Sequence, residues 1–277
     1  MPVELPDFQQ PLPRPWVMGI LNATPDSFHA GSRVAGEAAL AMADTMVQDG
    51  VDVLDLGGQS SRPGAERVGA DAEWKRITPI LHGLLERFPD TPVSIDTFHA
   101  DVARRALEAG AHMINDISAG QIDPDLPHVV AEAGAPFIAM HMKGTPETMQ
   151  DRPTYGDVVH DVREALQERL QYLKSVGIRD VILDPGFGFG KRLEQNYDLL
   201  RGLPSLKELG CPVLVGVSRK SMIHRALNID SEGALNGTTA LHAWALDRGA
   251  DLLRVHDVRE AVECVRLHQY LHGRNPR

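Results

Sequence analysis

The sequence predicts an α/β protein, a (β/α)8 TIM barrel in a single domain. Eight short apolar runs recur along it, each ending in polar residues: WVMGILN, VDVLDLGG, PVSIDT, HMINDI, PFIAMHM, DVILDPG, PVLVGVSRK and DLLRVHD. Helical patterns separate the runs. A parallel barrel gathers the C-terminal ends of its strands at one rim, where enzymes of this fold build their sites. A doubly wound open sheet is the alternative, but it concentrates ligand groups at one switch point rather than at every strand end.

The runs are continuously apolar, as strands covered on both faces should be. The segment ADAEWKRITPILHGLLERF places Trp74, Ile77, Ile80, Leu81, Leu84, Leu85 and Phe88 on one helical stripe. DVVHDVREALQERLQYLKSV does the same with Val158, Val162, Leu166, Leu170 and Leu173. Gly50, Gly110, Gly134, Gly177, Gly210 and Gly249 each stand between a helical pattern and a strand. That position suits a left-handed helix cap. About eight helices are expected beside the eight strands. A chain of 277 residues fits one such barrel without a linker. Residues 1–15 read as a Pro-rich extension and 16–272 as the barrel domain.

Composition excludes several classes. A net charge of −10 argues against a nucleic-acid or anionic-membrane surface, while leaving room for an anionic small substrate in a basic cleft. No apolar run is long enough to span a membrane. The two cysteines, Cys211 and Cys264, form no C-x-x-C pair and suggest buried thiols in a reducing, cytoplasmic setting. There is no H-E-x-x-H, no zinc spacing and no G-x-S-x-G elbow.

The polar strand ends carry the candidates. Asn22 closes the first run; its amide can offer a hard oxygen to Mg²⁺, or the segment after it can simply turn. Arg62, on a Gly/Ser/Pro loop, suits a phosphate clamp. Asp96 and Asp184, with Asn115, form a set of acceptors and donors fit for a nitrogen heterocycle. Asp116 reads as a turn cap. GFGFGK, residues 186–191, lacks the spacing of a nucleotide loop. Its Phe187 and Phe189 are expected to wall a flat ligand. His141 lines or supports a pocket. VSRKSM supplies Arg219, Lys220 and Ser221. Arg254 and His256 should face one way from the last strand, with Val255 opposite, as an anion site.

In order and spacing, MGILNATPDSF, GGQSSRPGA, SIDT, MINDISAG, MHMKGTPETMQ, ILDPGFGFGK, VLVGVSRKSM and LLRVHDV resemble the dihydropteroate synthase family over about residues 16 to 270. The resemblance implies an enzyme, a transferase of bacterial folate biosynthesis. In that reaction 4-aminobenzoate displaces diphosphate from 6-hydroxymethyl-7,8-dihydropterin diphosphate. It implies pterin contacts at Asp96, Asn115, Asp184, Lys220, Met140 and Phe189. It implies diphosphate contacts at Asn22, Arg62, Arg254 and His256, with Mg²⁺ held at Asn22. Phe28, Ser61, Pro63 and Ser221 would shape the 4-aminobenzoate pocket. The catalytic set would be Lys220, Arg254, His256, Asp96 and Asp184. It also implies a homodimer, for which GALNGTTALHAWALDRG is long and apolar enough.

Two positions depart from the family pattern. The first loop reads SFHAGS, so Ala30 stands where an Asp is usual, and Gln59 stands where Glu is commoner. Ala30 is the feature favouring a non-catalytic pterin-binding paralogue. A pterin-dependent methyltransferase domain is the other alternative, but it would not need the RPGA and SRKS segments.

Overall fold

The computed structural model describes residues 3, 5–23, 32–59, 67–144 and 154–273. Eight strands pair in parallel: β1 (Trp16–Asn22), β2 (Val53–Gly57), β3 (Val93–Asp96), β4 (Met113–Asp116), β5 (Phe137–Met140), β6 (Val181–Asp184), β7 (Leu214–Val215) and β8 (Leu252–Val255). Their order in the sheet is β6-β5-β4-β3-β2-β1-β8-β7. A bridge from Leu183 to Val213 joins the two edges, giving a nearly closed barrel.

Helices cover the outside: α1 (Ser32–Gln48), α2 (Ala70–Arg87), α3 (Ala100–Glu108), α4 (Leu126–Ala133), α5 (Val158–Ser175), α6 (Leu193–Arg201), α7 (Leu203–Lys207), α8 (Ser221–Leu227), α9 (Leu235–Asp247) and α10 (Val258–Leu271). That is ten among the described residues rather than about eight. The extra pieces are α7 and α8, which precede β7 and α9 respectively. Gly202 ends α6 and Pro204 opens α7, so the chain stops and restarts there. The six expected helix-capping glycines all have positive φ, from 65° at Gly134 to 108° at Gly110. No helix among the described residues is long and apolar enough to cross a membrane.

Alternation along the strands sorts the side chains. Val17, Leu21, Leu54, Leu56, Ile95, Ile114, Leu183, Val215 and Val255 face outward into the core shared with the helices. The inward positions begin apolar. Met18, Val53, Met113, Ile138, Ile182, Leu214 and Leu252 form a separate cluster inside the barrel. Phe8 and Leu12, from the extension, complete that cluster. Phe8 is 2% exposed and meets Trp16 edge-on at 5.7 Å. Arg14 forks onto Asp52, whose Oδ2 also accepts from the Val17 N–H at 2.8 Å. Phe8 and Leu12 thus help close the floor of the barrel.

Candidate active site

Two residues above that floor the inward positions turn polar. Register places Ile20 beside Asp55, Gly57 beside Asp96, Asp96 beside Asn115, and Met140 beside Asp184. The sheet therefore brings Asp96, Asn115, Met140, Asp184 and Arg254 into one cup.

Asp55 is the residue the sequence reading missed. It is fully buried and accepts on Oδ2 from Asn115 Nδ2 at 3.0 Å and from Arg254 Nε at 2.7 Å. Arg254 Nη2 donates to Asp96 Oδ2 at 2.7 Å. One guanidinium thus joins carboxylates from β2 and β3. The available signal was parity: Asp55 lies two residues before Gly57 in an otherwise apolar run, so it had to point inward.

Burial pushes the Asp96 carboxyl up to about 7, with Asp55, Asp116 and Asp184 adding to the rise and Arg254 opposing it. Burial also raises Asp184, against the pull of Lys220. Asp184 Oδ1 accepts from the Gly186 N–H at 2.7 Å. Burial lowers Lys220 to about 8, against the pull of Asp184. Lys220 Nζ donates to the Phe187 carbonyl at 2.7 Å and stands 4.8 Å from the Phe189 ring centre. Phe189 joins Phe98, Ile117, Met140 and Met142 in an apolar wall.

Phe187 is a correction: it is fully buried in the outer core and walls no cup. Gly186 brings the backbone so close to β5 that a β-carbon there would meet the His141 carbonyl oxygen at 1.9 Å. That tight path turns the Phe187 side chain away and leaves its carbonyl for Lys220.

Arg219 is a strut rather than an open anion ligand. Its backbone is left-handed, with φ of 53°, a conformation that costs a non-glycine residue about 1–2 kcal/mol. Two parallel bonds of 2.8 Å to Asp257 hold it there. The turn sends Ser218 toward β8 and Lys220 into the cup. Ser218 Oγ accepts from the His256 N–H at 3.2 Å and lies 3.0 Å from its Nδ1. Val255 is buried outward, as alternation requires. His256 stands exposed at the rim by surface area, with protein packed around it densely enough to desolvate the imidazole. That desolvation and the charge of Arg254 hold the imidazole below the usual histidine value. Ser221 opens α8 beside Lys220. Asp116 is the turn cap expected, accepting from Ser118 N–H at 2.7 Å and from Gly120 N–H.

A second buried carboxylate, Glu73, was also missed. It accepts from Gln59 Nε2 at 3.1 Å and Thr97 Oγ1 at 3.2 Å. It ties the root of the β2–α2 segment to the residue after Asp96. Burial raises it to about 8. Helical spacing could have found it, since Glu73 falls on the same face as Ile77, Ile80, Leu81 and Leu84; its charge alone suggested solvent.

Phe28, Ala30, Ser61, Arg62 and Pro63 lie outside the described residues. Asn22 is within them. A β-carbon at Gly57 would stand 3.7 Å from Asp96 Oδ2 and 3.8 Å from Asn22 Oδ1, so an amide oxygen and a carboxylate both lie beside Gly57. No group of three or more His, Cys, Asp or Glu among the described residues could hold a metal. The donor set fits a Mg²⁺ that takes one or two protein oxygens and fills its shell with phosphate and water.

The family model described as pterin binding enzyme matches residues 18–256. The dihydropteroate synthase of Synechocystis sp. is 47% identical over 249 residues, which is 88% of this chain and 86% of that protein. The solved Yersinia pestis dihydropteroate synthase with a sulfonamide drug superposes with a TM-score of 0.89 at 41% identity, over 94% of this chain and 95% of that one. The Xanthomonas albilineans dihydropteroate synthase in complex with 7,8-dihydropteroate gives 0.85 at 40% identity, over 94% and 95%. These matches support neither the non-catalytic paralogue nor the methyltransferase alternative. The chain belongs to the pterin binding enzyme family and, within it, to the dihydropteroate synthases.

Proposed function

We propose that this cup carries the family's reaction with the following division of labour. 4-Aminobenzoate attacks the exocyclic carbon of 6-hydroxymethyl-7,8-dihydropterin diphosphate. A C–N bond forms, the C–O bond to diphosphate breaks, and the amine proton leaves with the products 7,8-dihydropteroate and diphosphate. The observation that carries this reading is the polar layer itself: buried Asn115 and Asp184 and largely buried Asp96 inside the barrel, with Lys220 over the Phe189 ring.

Asp184 keeps one oxygen on Gly186 and can take adjacent pterin N–H donors with the other. Asn115 and Asp96 complete the polar edge, and Met140 and Phe189 face the ring. A flat heterocycle in such a slot is fixed by few, directed bonds. Arg254 and His256, at the end of β8, would meet the diphosphate, joined by Asn22 and Arg62. Hydrogen-bond donors and the Arg62 cation there would stabilise the leaving anion more in the transition state than in the ground state. Arg254 shares its charge with Asp55 and Asp96, and His256 would act as a neutral imidazole. Mg²⁺, when bound at Asn22, would neutralise part of the diphosphate charge. Phe28, Ser61, Pro63 and Ser221 would orient the aromatic amine, which is already a nucleophile and needs no activating serine or cysteine.

Trp244 on α9 and Leu267, Tyr270 and Leu271 on α10 are all more than half exposed on two adjacent helices. Exposed large apolar side chains on neighbouring helices favour a partner, and a homodimer through α9 and α10 is the occupant proposed. Trp244→Glu should shift sedimentation toward the monomer. Cys211 and Cys264 are free and buried, in keeping with a cytoplasmic enzyme.

The test is steady-state turnover with both substrates, following diphosphate and 7,8-dihydropteroate together, with and without Mg²⁺. Equal release of both products supports the reading. Diphosphate release without dihydropteroate contradicts it.

A further inference from the structure

The loop between β6 and α6 is organised by a lysine that the reaction above does not use. Lys191 is 6% exposed. Its Nζ donates to the carbonyls of Gly186 at 2.8 Å and Phe189 at 3.1 Å, and lies 3.2 Å from His141 Nδ1. Burial lowers its pKa to about 7. Even as a neutral amine the nitrogen keeps two hydrogens, one for each carbonyl.

The loop needs such a tie. Gly186, Gly188 and Gly190 have φ of 70°, 83° and 64°. Glycine loses more conformational freedom on ordering than any other residue. From the other side Asn196 Oδ1 accepts from the Gly188 N–H at 2.7 Å. Between these two anchors lie the atoms that touch Lys220: the Phe187 carbonyl at 2.7 Å and the Phe189 ring at 4.8 Å. The same loop places the Gly186 N–H on Asp184.

We propose that Lys191 is a positioning residue for pterin recognition, tying the Gly186 and Phe189 carbonyls so that the loop seats the Lys220 ammonium beside Asp184. This rests on the reading of Lys220 and Asp184 as pterin contacts. Lys191 itself touches no substrate.

The test is a double-mutant cycle on the full-length protein. 6-Hydroxymethyl-7,8-dihydropterin is titrated calorimetrically into wild type, Lys191→Met, Lys220→Met and the double variant. Lys191→Met is expected to bind about tenfold more weakly, which is about 1.4 kcal/mol. In the Lys220→Met background the same change is expected to cost less than about twofold, because a residue acting through another is non-additive with it. An equal loss in both backgrounds would mean a merely structural lysine and overturns the proposal. So does unchanged binding by Lys191→Met when Lys220→Met binds weakly. If Lys220→Met binds like wild type, the reading of Lys220 fails, and this proposal with it. Should Lys191→Met not fold, Lys191→Gln replaces it, with the same dependence on Lys220 expected and the same independence decisive against.

Discussion

The lower and upper halves of this barrel are built by the same strands, two residues apart, and do opposite work. Below, Met18, Val53, Ile138, Ile182 and Leu252 close on Phe8 and Leu12 in a dry cluster. Above, two residues on from Val53, Met113, Ile182 and Leu252, stand Asp55, Asn115, Asp184 and Arg254, while Ile20 and Met140 stay apolar. The outward faces of the strands stay apolar at both levels. Strand alternation thus lets one sheet hold an unbroken outer core while its inner face changes from structural to chemical. The upper layer is costly, since buried ions lose hydration that their attraction only partly restores. It persists because each charge has partners: Arg254 with Asp55 and Asp96, and Lys220 with a carbonyl and an aromatic face.

Breaking the upper layer should have the largest effect. Arg254→Ala leaves Asp55 and Asp96 without their shared cation, and removing one partner of a buried pair costs about 3–5 kcal/mol. Chemical unfolding at pH 8 should show that loss, together with weaker binding of inorganic diphosphate. Undiminished stability would mean that the two carboxylates do not depend on Arg254. The lower layer should break more quietly for function. Phe8→Ala should lower unfolding stability by about 3 kcal/mol, while pterin affinity stays within about twofold of wild type. Loss of binding in a folded Phe8→Ala protein would show that the two halves are not separable.

The sequence made the strands legible because each ended in polar residues and six of the eight were preceded by a capping glycine. It also placed Asp96, Asn115, Asp184, Lys220 and Arg254 at one rim. It did not reveal what those residues do to one another. Arg254 was read as an anion ligand, and the sequence did not show that its guanidinium also spans Asp55 and Asp96, because register across β1, β2, β3 and β8 is not written in any one run. Arg219 was grouped with Lys220, but a left-handed backbone turns it to Asp257. Phe187 and Phe189 look alike in GFGFGK, and only the close approach of Gly186 to β5 separates core from cup. The segment around Phe8 and Leu12 offered no periodicity, so the place of these two residues in the floor had no local signal.

A smaller effect sharpens the comparison at the boundary of the cup. Glu73 has a folded pKa of about 8, raised by burial above that of an unfolded carboxyl. The folded state therefore holds the proton between about pH 4.5 and 8 where the unfolded state has lost it. Its contribution is fully present below that window and lost as pH rises through it. Glu73→Gln keeps an acceptor for Gln59 and Thr97 and cannot ionise. At pH 8.5 the variant should be more stable than wild type by at least about 1.4 kcal/mol, one pKa unit's worth, with the difference vanishing near pH 4.5. Equal stability at both pH values would show that Glu73 titrates normally.

The most direct measurement is calorimetric binding of 6-hydroxymethyl-7,8-dihydropterin to wild type, Asp184→Asn and Phe8→Ala under conditions where all three are folded. Asp184 offers a carboxylate to adjacent N–H donors, and an amide cannot accept at both atoms. A charge-assisted hydrogen bond is worth about 1.5–3 kcal/mol. The prediction is a loss of at least about tenfold for Asp184→Asn without loss of thermal stability, and unchanged affinity for Phe8→Ala. Wild-type affinity in Asp184→Asn, or an equal loss in both variants, would contradict the assignment of pterin recognition to the upper layer.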